Sequence, residues 1–333
     1  MALMREYYAE GVGVMTRFSA ERPSHVRIST GARIHLGFYG LCRSHGRILG
    51  GMGLAVDGVG YTVKARAGRD GVTGCQSHRV REILEKAVND LNALPGPVSV
   101  KVETCIPEHV GLGSTTQLTL AIYAAVGLLA GKSIRESVEV AARGPYSGIG
   151  VGTFLYGGFI VDAGVRIGSR LARPVFRAEF PSEWRIVAVI PETEWRVAEG
   201  PKEDAMVELP EGSKELCSRA MEALLRLIAP GIAEKDFDLF TNGVEMIQRL
   251  TGEYFSGVQG GLYCCSESEE AARLIHSLGG RGVGQSSWGP LVYGFFPSEE
   301  KALKAYAGLV ERYGEERVLL LRPRNRGAVV EAN

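Results

Sequence analysis

PEHVGLGSTTQ, residues 107–117, joins an alternating strand pattern (VSVKVE, 98–103) to the most apolar helix pattern in the chain, and its reading decides the fold. Gly111 and Gly113 permit backbone conformations closed to other residues, Ser114, Thr115 and Thr116 set three hydroxyls in a row, and Gln117 starts the helix. N–H groups at a helix start have no intrahelical partner and sit at the positive end of the macrodipole. The stretch therefore reads as a cradle for phosphate or pyrophosphate. The Ser114-x-x-Gln117 spacing also fits a capping box, which gives a plainer reading: a well-capped helix behind a glycine turn.

Outward from this stretch, Leu118, Ala121, Ile122, Ala125, Val126 and Leu129 make the following helix apolar nearly all round, as a central buried helix requires. Upstream, HVRIS from His25, ARIHLGF, GLAVD (53–57) and GYTVKARA (60–67) read as strands, with a mobile or ligand-facing loop GRILGGMG (46–53) among them and a helix over 80–94. Downstream, Ser133-x-x-Glu136 opens another helix that Gly144-Pro145 breaks, and SGIGVGTFLYGGFIVDAG (147–164) reads as a second glycine-rich loop feeding a strand. The second half alternates strand (185–190), helices (about 213–229, 236–250 and 267–278), two strands, a helix from 299 and a strand from 317, the order of an α+β sandwich. Its middle strands frame a third loop, GGRGVGQSSWGP (279–290). The spacing predicts an N-terminal extension over 1–23 and domains over 24–175 and 176–333.

Lys+Arg and Asp+Glu both total 38, so the net charge is zero and broad electrostatic binding to nucleic acid or anionic membrane is not expected. With 45% hydrophobic and 23% charged residues among 333, the composition is that of an ordinary globular protein. The six cysteines contain no C-x-x-C, and Cys264 and Cys265 are adjacent, so reduced thiols are the simplest expectation. No histidine cluster has zinc spacing. Magnesium held by substrate phosphates would leave no motif. The longest apolar stretch, 118–131, is too short for a bilayer, and the expectation is a soluble, cytoplasmic protein.

These motifs carry a resemblance. PEHVGLGSTTQ is similar to the phosphate loop P-x-x-x-G-L-G-S-S of the GHMP kinase superfamily, RISTGARIHLGF (27–38) to its first motif, and RGVGQSSWGP stands where its third belongs. The resemblance implies a two-domain α+β fold: an N-terminal α/β domain with the phosphate loop before a buried helix, and a C-terminal ferredoxin-like α+β sandwich. In those kinases the loop after the second helix commonly carries an Asp, and SGIGVGTF has no carboxylate. That departure, with RIHLGF (33–38), HVGLGSTTQ (109–117), ARGPYSGIGVGTFLYGGFIVDAG (142–164) and GVGQSSWGP (282–290), resembles a narrower group, the β-ribofuranosylaminobenzene 5′-phosphate synthases of archaeal methanopterin biosynthesis. What this implies is condensation of 5-phosphoribosyl 1-pyrophosphate (PRPP) with 4-aminobenzoate, with loss of carbon dioxide and pyrophosphate, aided by Mg2+. The alternatives are an ATP-dependent small-molecule kinase and a non-catalytic phosphate-ligand sensor. A homodimer is expected.

On that reading Ser114, Thr115, His35 and Gln285 act on the reacting atoms. Arg33, His109, Gly111, Leu112, Gly113, Thr116, Gln117, Arg143, Ser147, Gly148, Ser286, Ser287 and Trp288 bind substrate, with Arg33 on the 5-phosphate and Trp288 a flat wall beside the aromatic ring. Asp162 is the candidate metal ligand. Each has a plainer alternative. His35 reads equally as a core histidine, Ser147 and Gly148 as a tight connection, residues 285–288 as a wide hairpin, Arg143 as a solvated helix-end charge and Asp162 as a turn cap.

Overall fold

The computed structural model describes residues 15–18, 23–42, 45–92, 96–141, 148–166, 172–197 and 211–333. The first half contains β1 (Met15–Phe18), β2 (His25–Ser29), β3 (Ala32–Phe38), β4 (Arg47–Ile48), β5 (Gly51–Asp57), β6 (Thr62–Ala67), β7 (Gly71–Gly74), α1 (Ser77–Leu91) and β8 (Val98–Thr104). It continues through α2 (Ser114–Leu129), α3 (Ile134–Ala141), α4 (Ile149–Leu155), β9 (Phe159–Asp162), β10 (Val165–Arg166) and β11 (Pro174–Ala178). The second half contains β12 (Arg185–Val189), α5 (Lys214–Glu222), a π-helical segment (Ala223–Ile228), α6 (Ala229–Glu234), α7 (Phe237–Gln259) and α8 (Ser266–Ser277). After these come β13 (Arg281–Gln285), β14 (Val292–Phe296), α9 (Glu299–Tyr313), a 3-10 turn (Glu315–Arg317), β15 (Val318–Pro323) and β16 (Val329–Ala332).

One sheet runs β1-β16-β2-β6-β8-β7, and a second runs β11-β9-β5-β15-β12-β14-β13 with β3 paired to β5. On the first sheet, over β2 and β6 and flanked by α1, α3 and α4, lies α2, whose 16 residues are buried at all but three positions, as its all-round apolar pattern demands. Gly127 admits Ser137 of α3 against it; a Cβ there would overlap the serine side chain. In the second half β15, β12, β14 and β13 form an antiparallel layer with α8 and α9 packed on it, the α+β sandwich expected.

Four sequence expectations meet a different outcome. The stretch at 147–164 is not all loop before its strand, because α4 occupies Ile149–Leu155. Its glycines serve close packing: a Cβ on Gly150 would sit 2.6 Å from Thr116 Cγ2, and one on Gly152 2.6 Å from Ile160 Cγ2. The expected 175/176 boundary falls inside β11, and β16 returns to the first sheet between β1 and β2, so the two halves exchange strands. Within the extension, Met15–Phe18 pairs in parallel with β16. The thiols are not all reduced: Cys42 pairs with Cys217 and Cys75 with Cys105 in disulfides with Cα separations of 6.1 and 6.4 Å, while Cys264 and Cys265 are free. A partner 175 residues away is brought close only by the tertiary fold, which spacing rules cannot anticipate.

Candidate active site

The loop before α2 is shaped by two left-handed glycines, Gly111 (φ 97°) and Gly113 (φ 75°), with His109 (φ 54°) ahead of them. Gly113 caps the helix with no side-chain acceptor, so the capping-box reading of Ser114 does not hold. The first helical bond runs from the Gln117 N–H to the Gly113 carbonyl at 3.0 Å, which leaves the N–H groups of Ser114, Thr115 and Thr116 pointing out of the helix end. They line a cleft of about 100 Å³ together with Arg33, His109, Gly111, Gly113, Val197, Ser287, Trp288 and Gly289.

Arg33 on β3 lies across this loop. Its backbone N–H donates to Leu112 O at 3.1 Å, and its guanidinium donates to Gly111 O at 2.6 Å. Ser286, wholly buried, donates to the same carbonyl at 2.6 Å and accepts from the His35 N–H at 3.0 Å. The third loop is locked on the first by a further bond, Leu291 N–H to Val110 O at 3.1 Å. Gly111 must be glycine for this seam, since a Cβ would run into the Ser286 carbonyl. Arg79 of α1, not anticipated from the sequence, donates to the Thr115 hydroxyl and lies 3.5 Å from Glu108. Arg33, the N–H groups at the start of α2 and a run of hydroxyls thus converge on one cleft, with Arg79 behind Thr115.

Beside it lies a second, much smaller hollow of about 20 Å³, lined by His35, Gly37, Phe38, Gln248, Thr251, Gly252, Phe255, Gln259, Leu262, Gln285, Ser287 and Trp288. Ser287 and Trp288 face both spaces. The slot is aromatic: Phe255 meets Trp288 edge-on at 4.9 Å and Phe38 at 5.8 Å, and His35 lies 4.5 Å from Phe38. Trp195 Nε1 donates to the Trp288 carbonyl at 2.7 Å and steadies the shared wall. His35 is buried, and burial, with the nearby Arg33 charge adding to it, lowers its pKa to about 3. It is neutral at any physiological pH.

Several expected site residues turn out to be scaffold. Leu112 is buried in the core, so only its backbone serves the loop. Gln117 donates to Gly150 O at 2.9 Å and ties α2 to α4 instead of reaching a ligand. Gln285 accepts from Cys264 N–H at 2.8 Å and donates to Ser287 O at 3.1 Å, which fixes the third loop and leaves its amide engaged. Gly148 is the N-cap of α4, away from the cleft. Asp162, fully buried, accepts from the N–H groups of Gly51 (3.1 Å), Gly164 (2.8 Å) and Gly148 (2.8 Å). It is a backbone knot rather than a metal ligand, since its oxygens already hold three N–H donors. Arg143 and Ser147 lie outside the described residues. Among the described residues no cluster of three His, Cys, Asp or Glu side chains could hold a metal ion, and no helix is long and apolar enough to cross a membrane.

Comparison with known proteins agrees with this architecture. The family GHMP kinases N terminal domain matches residues 78–158, and GHMP kinases C terminal matches 220–315. The chain is 31% identical over 328 residues to the beta-ribofuranosylphenol 5'-phosphate synthase of Methanothermobacter thermautotrophicus (90% of this chain, 97% of that protein). It is 29% identical over 330 residues to the protein of the same name from Archaeoglobus fulgidus (92% and 99%). Among solved structures, homoserine kinase from Cytophaga hutchinsonii superposes with a TM-score of 0.69 at 19% identity (94% and 99%). Mevalonate diphosphate decarboxylase from Staphylococcus aureus superposes with 0.64 at 14% (93% and 98%). The kinase likeness is one of fold, whereas the sequence likeness extends from end to end of the synthases: the chain is an enzyme of the beta-ribofuranosylphenol 5'-phosphate synthase family, built on the GHMP kinase fold.

Proposed function

We propose that the enzyme transfers the 5-phosphoribosyl group of PRPP to the ring carbon of a para-substituted benzoate, 4-aminobenzoate or its 4-hydroxy counterpart, with loss of carbon dioxide and pyrophosphate. The relatives' names specify a phenol as the aryl part of the product, where the sequence resemblance implied an aminobenzene. The observation that carries the reading is the pair of adjoining spaces with one shared wall, a cationic, N–H-rich cleft and an aromatic slot that meet at Ser287 and Trp288.

In the reaction, the ring carbon bearing the carboxylate gives an electron pair to the anomeric carbon. The C–O bond to pyrophosphate breaks, and its pair leaves on the pyrophosphate. The carboxylate's C–C pair then returns to the ring as carbon dioxide departs. Negative charge grows on the leaving group, so donors fixed before the substrate arrives, the N–H groups of Ser114 to Thr116, the hydroxyls of Ser114 and Thr115 and the Arg33 guanidinium, lower the barrier. Trp288 and Phe255 hold the ring flat beside the sugar.

The oxygen donors at the cleft are hydroxyls, and no carboxylate lines it among the described residues, so the site suits a Mg2+ carried on the diphosphate rather than one held by the chain alone. Such an ion would neutralise phosphate charge, with the Ser114, Thr115 and Ser287 hydroxyls as its protein ligands. A cytoplasmic homodimer completes the proposal. The apolar Val175 and Phe176, exposed on edge strand β11, favour pairing with a second copy, which sedimentation velocity tests. The activity test supplies Mg2+ with PRPP and either benzoate, or with ATP and candidate alcohols. Carbon dioxide and pyrophosphate are expected from the first pair of tubes, and ADP from the second alone would overturn the reading.

A further inference from the structure

Arg79 lies one layer behind the cleft. Its guanidinium donates to the Thr115 hydroxyl, its Nη1 stands 3.5 Å from Glu108, and it is not itself among the residues that line the space. The segment that carries it is lashed to the exit of β8. Cys75 is joined by a disulfide to Cys105, and the Cys75 N–H donates to Val102 O at 3.2 Å. Gln76 donates to Ile106 O at 2.9 Å and accepts from the buried Tyr61 hydroxyl at 2.8 Å. From there α1 packs along α2. The start of α1 and the entry to the phosphate loop therefore move as one piece, and the guanidinium is held at Thr115 by its backbone as well as by the bond itself. As a mere tie between helices it would be a poor choice, because its Nη1 is buried with no hydrogen-bond partner, which costs stability.

A guanidinium has donors and no acceptor, so Thr115 Oγ1 can only accept from it. Among the described residues the Thr115 hydroxyl makes no other hydrogen bond, and its own proton is left for the cleft that Thr115 lines. Resting on the phosphoribosyl-transfer reading above, we propose that Arg79 is a positioning residue: it turns the Thr115 hydroxyl into a fixed donor for the diphosphate of PRPP without touching the substrate. Freed of Arg79, the hydroxyl would rotate among its staggered positions and spend part of its time presenting a lone pair to the anion, an arrangement that repels. The cation behind the oxygen also polarises the O–H bond, and donors linked in series strengthen one another. The benefit rises as negative charge collects on the departing pyrophosphate, so it falls more on the transition state than on bound substrate.

The test is a double-mutant cycle read by isothermal titration with inorganic pyrophosphate, using the native enzyme, Arg79→Met, Thr115→Val and the two together, with urea unfolding to show that each is folded. Arg79→Met should weaken pyrophosphate about 3- to 30-fold while Thr115 is present, the range of one hydrogen bond lost to an anion. Once residue 115 is valine, the same exchange should change affinity by less than about twofold, because the route from Arg79 to the ligand is gone. Arg79→Lys, which keeps a charged donor, should recover part of the loss in the threonine background and none in the valine one. Native affinity in Arg79→Met, or an equal loss in both backgrounds as a structural tie or a distant charge would give, overturns the assignment. Should Arg79→Met not fold, Arg79→Lys in the two backgrounds decides on the same terms. Turnover is followed separately: coupling between Arg79 and Thr115 in an enzyme that does not consume PRPP leaves the assignment standing and removes the transferase reading. PRPP consumption without that coupling does the reverse, and native protein that binds no pyrophosphate removes both.

Discussion

Gly113→Ala isolates the claim that the loop before α2 is a diphosphate cradle. Gly113 sits at φ 75° and ψ 28°, a left-handed conformation that costs an alanine about 1–2 kcal/mol. A Cβ there would lie 2.8 Å from Arg33 Cγ and 3.1 Å from its Nε, so the flexible arginine must swing aside. That movement breaks its 2.6 Å bond to the Gly111 carbonyl, a charge-assisted contact of about 1.5–3 kcal/mol, although water recovers part of it. The net cost in stability should be about 2–4 kcal/mol. Removing the cation from the cleft should weaken inorganic pyrophosphate about 10- to 150-fold. The assay is isothermal titration with pyrophosphate beside urea unfolding, with Gly68→Ala as control. Gly68 has φ 79° and nothing within 4 Å of its imagined Cβ, so it bears the backbone strain alone. Equal pyrophosphate affinity in the two variants would refute the cradle.

Ser286→Ala should destabilise by about 1–3 kcal/mol and weaken pyrophosphate, because it leaves the buried His35 N–H without an acceptor and unlocks the third loop from the Gly111 carbonyl; unchanged urea midpoints would count against the seam. Asp162→Asn should lose about 2–4 kcal/mol equally with and without Mg2+, since an amide nitrogen must then face one of the three backbone N–H groups; a loss that appears only with the metal would return this residue to the metal site. His35, with its pKa lowered to about 3, binds its proton more readily in the unfolded chain, so its contribution is complete above about pH 6.5 and declines as pH falls towards 3. Between pH 7 and 4.5 that removes about 2–3 kcal/mol, and His35→Phe should show a correspondingly shallower decline in urea unfolding; identical slopes would show that the imidazole is not held neutral.

The glycine and hydroxyl loop that lines the cleft was legible because its signal is local. Two glycines, three hydroxyls and an all-apolar helix lie within one stretch, and each follows from backbone conformation or burial that neighbours determine. The aromatic slot was only half legible, since it is assembled from β3, the last turns of α7 and the third loop. The sequence reading ended that helix near residue 250, yet it continues to Gln259. Gly252 packs there against Leu262, where a Cβ would come within 2.7 Å of a carbonyl, so that glycine marks a close approach and not an end. Phe255 and Thr251 were lost with it. Leu112 and Gln117 were drawn into the site by adjacency, because a motif names consecutive residues while the turn sends their side chains into the core. Arg79 carried no local signal, and only the packing of α1 against α2 brings it to Thr115.

On the transfer proposed above, the arrangement also explains why one scaffold would suit the departure of pyrophosphate without a carboxylate base. In a kinase the incoming hydroxyl must lose a proton, whereas here the nucleophile is a ring π pair and the proton count at the attacking atom does not change. What remains for the protein is to stabilise charge on the leaving group and to aim the ring. The Gly111 carbonyl is pinned from two sides, by Arg33 of β3 and Ser286 of the third loop, and this fixes the peptide planes that follow, hence the directions of the N–H groups entering α2. Ser286 also holds the His35 backbone, so the same buried hydroxyl sets the depth of the slot. Donors and ring pocket therefore share one rigid joint, and neither must reorganise when the bond to pyrophosphate breaks, which is the condition under which fixed dipoles lower a barrier most.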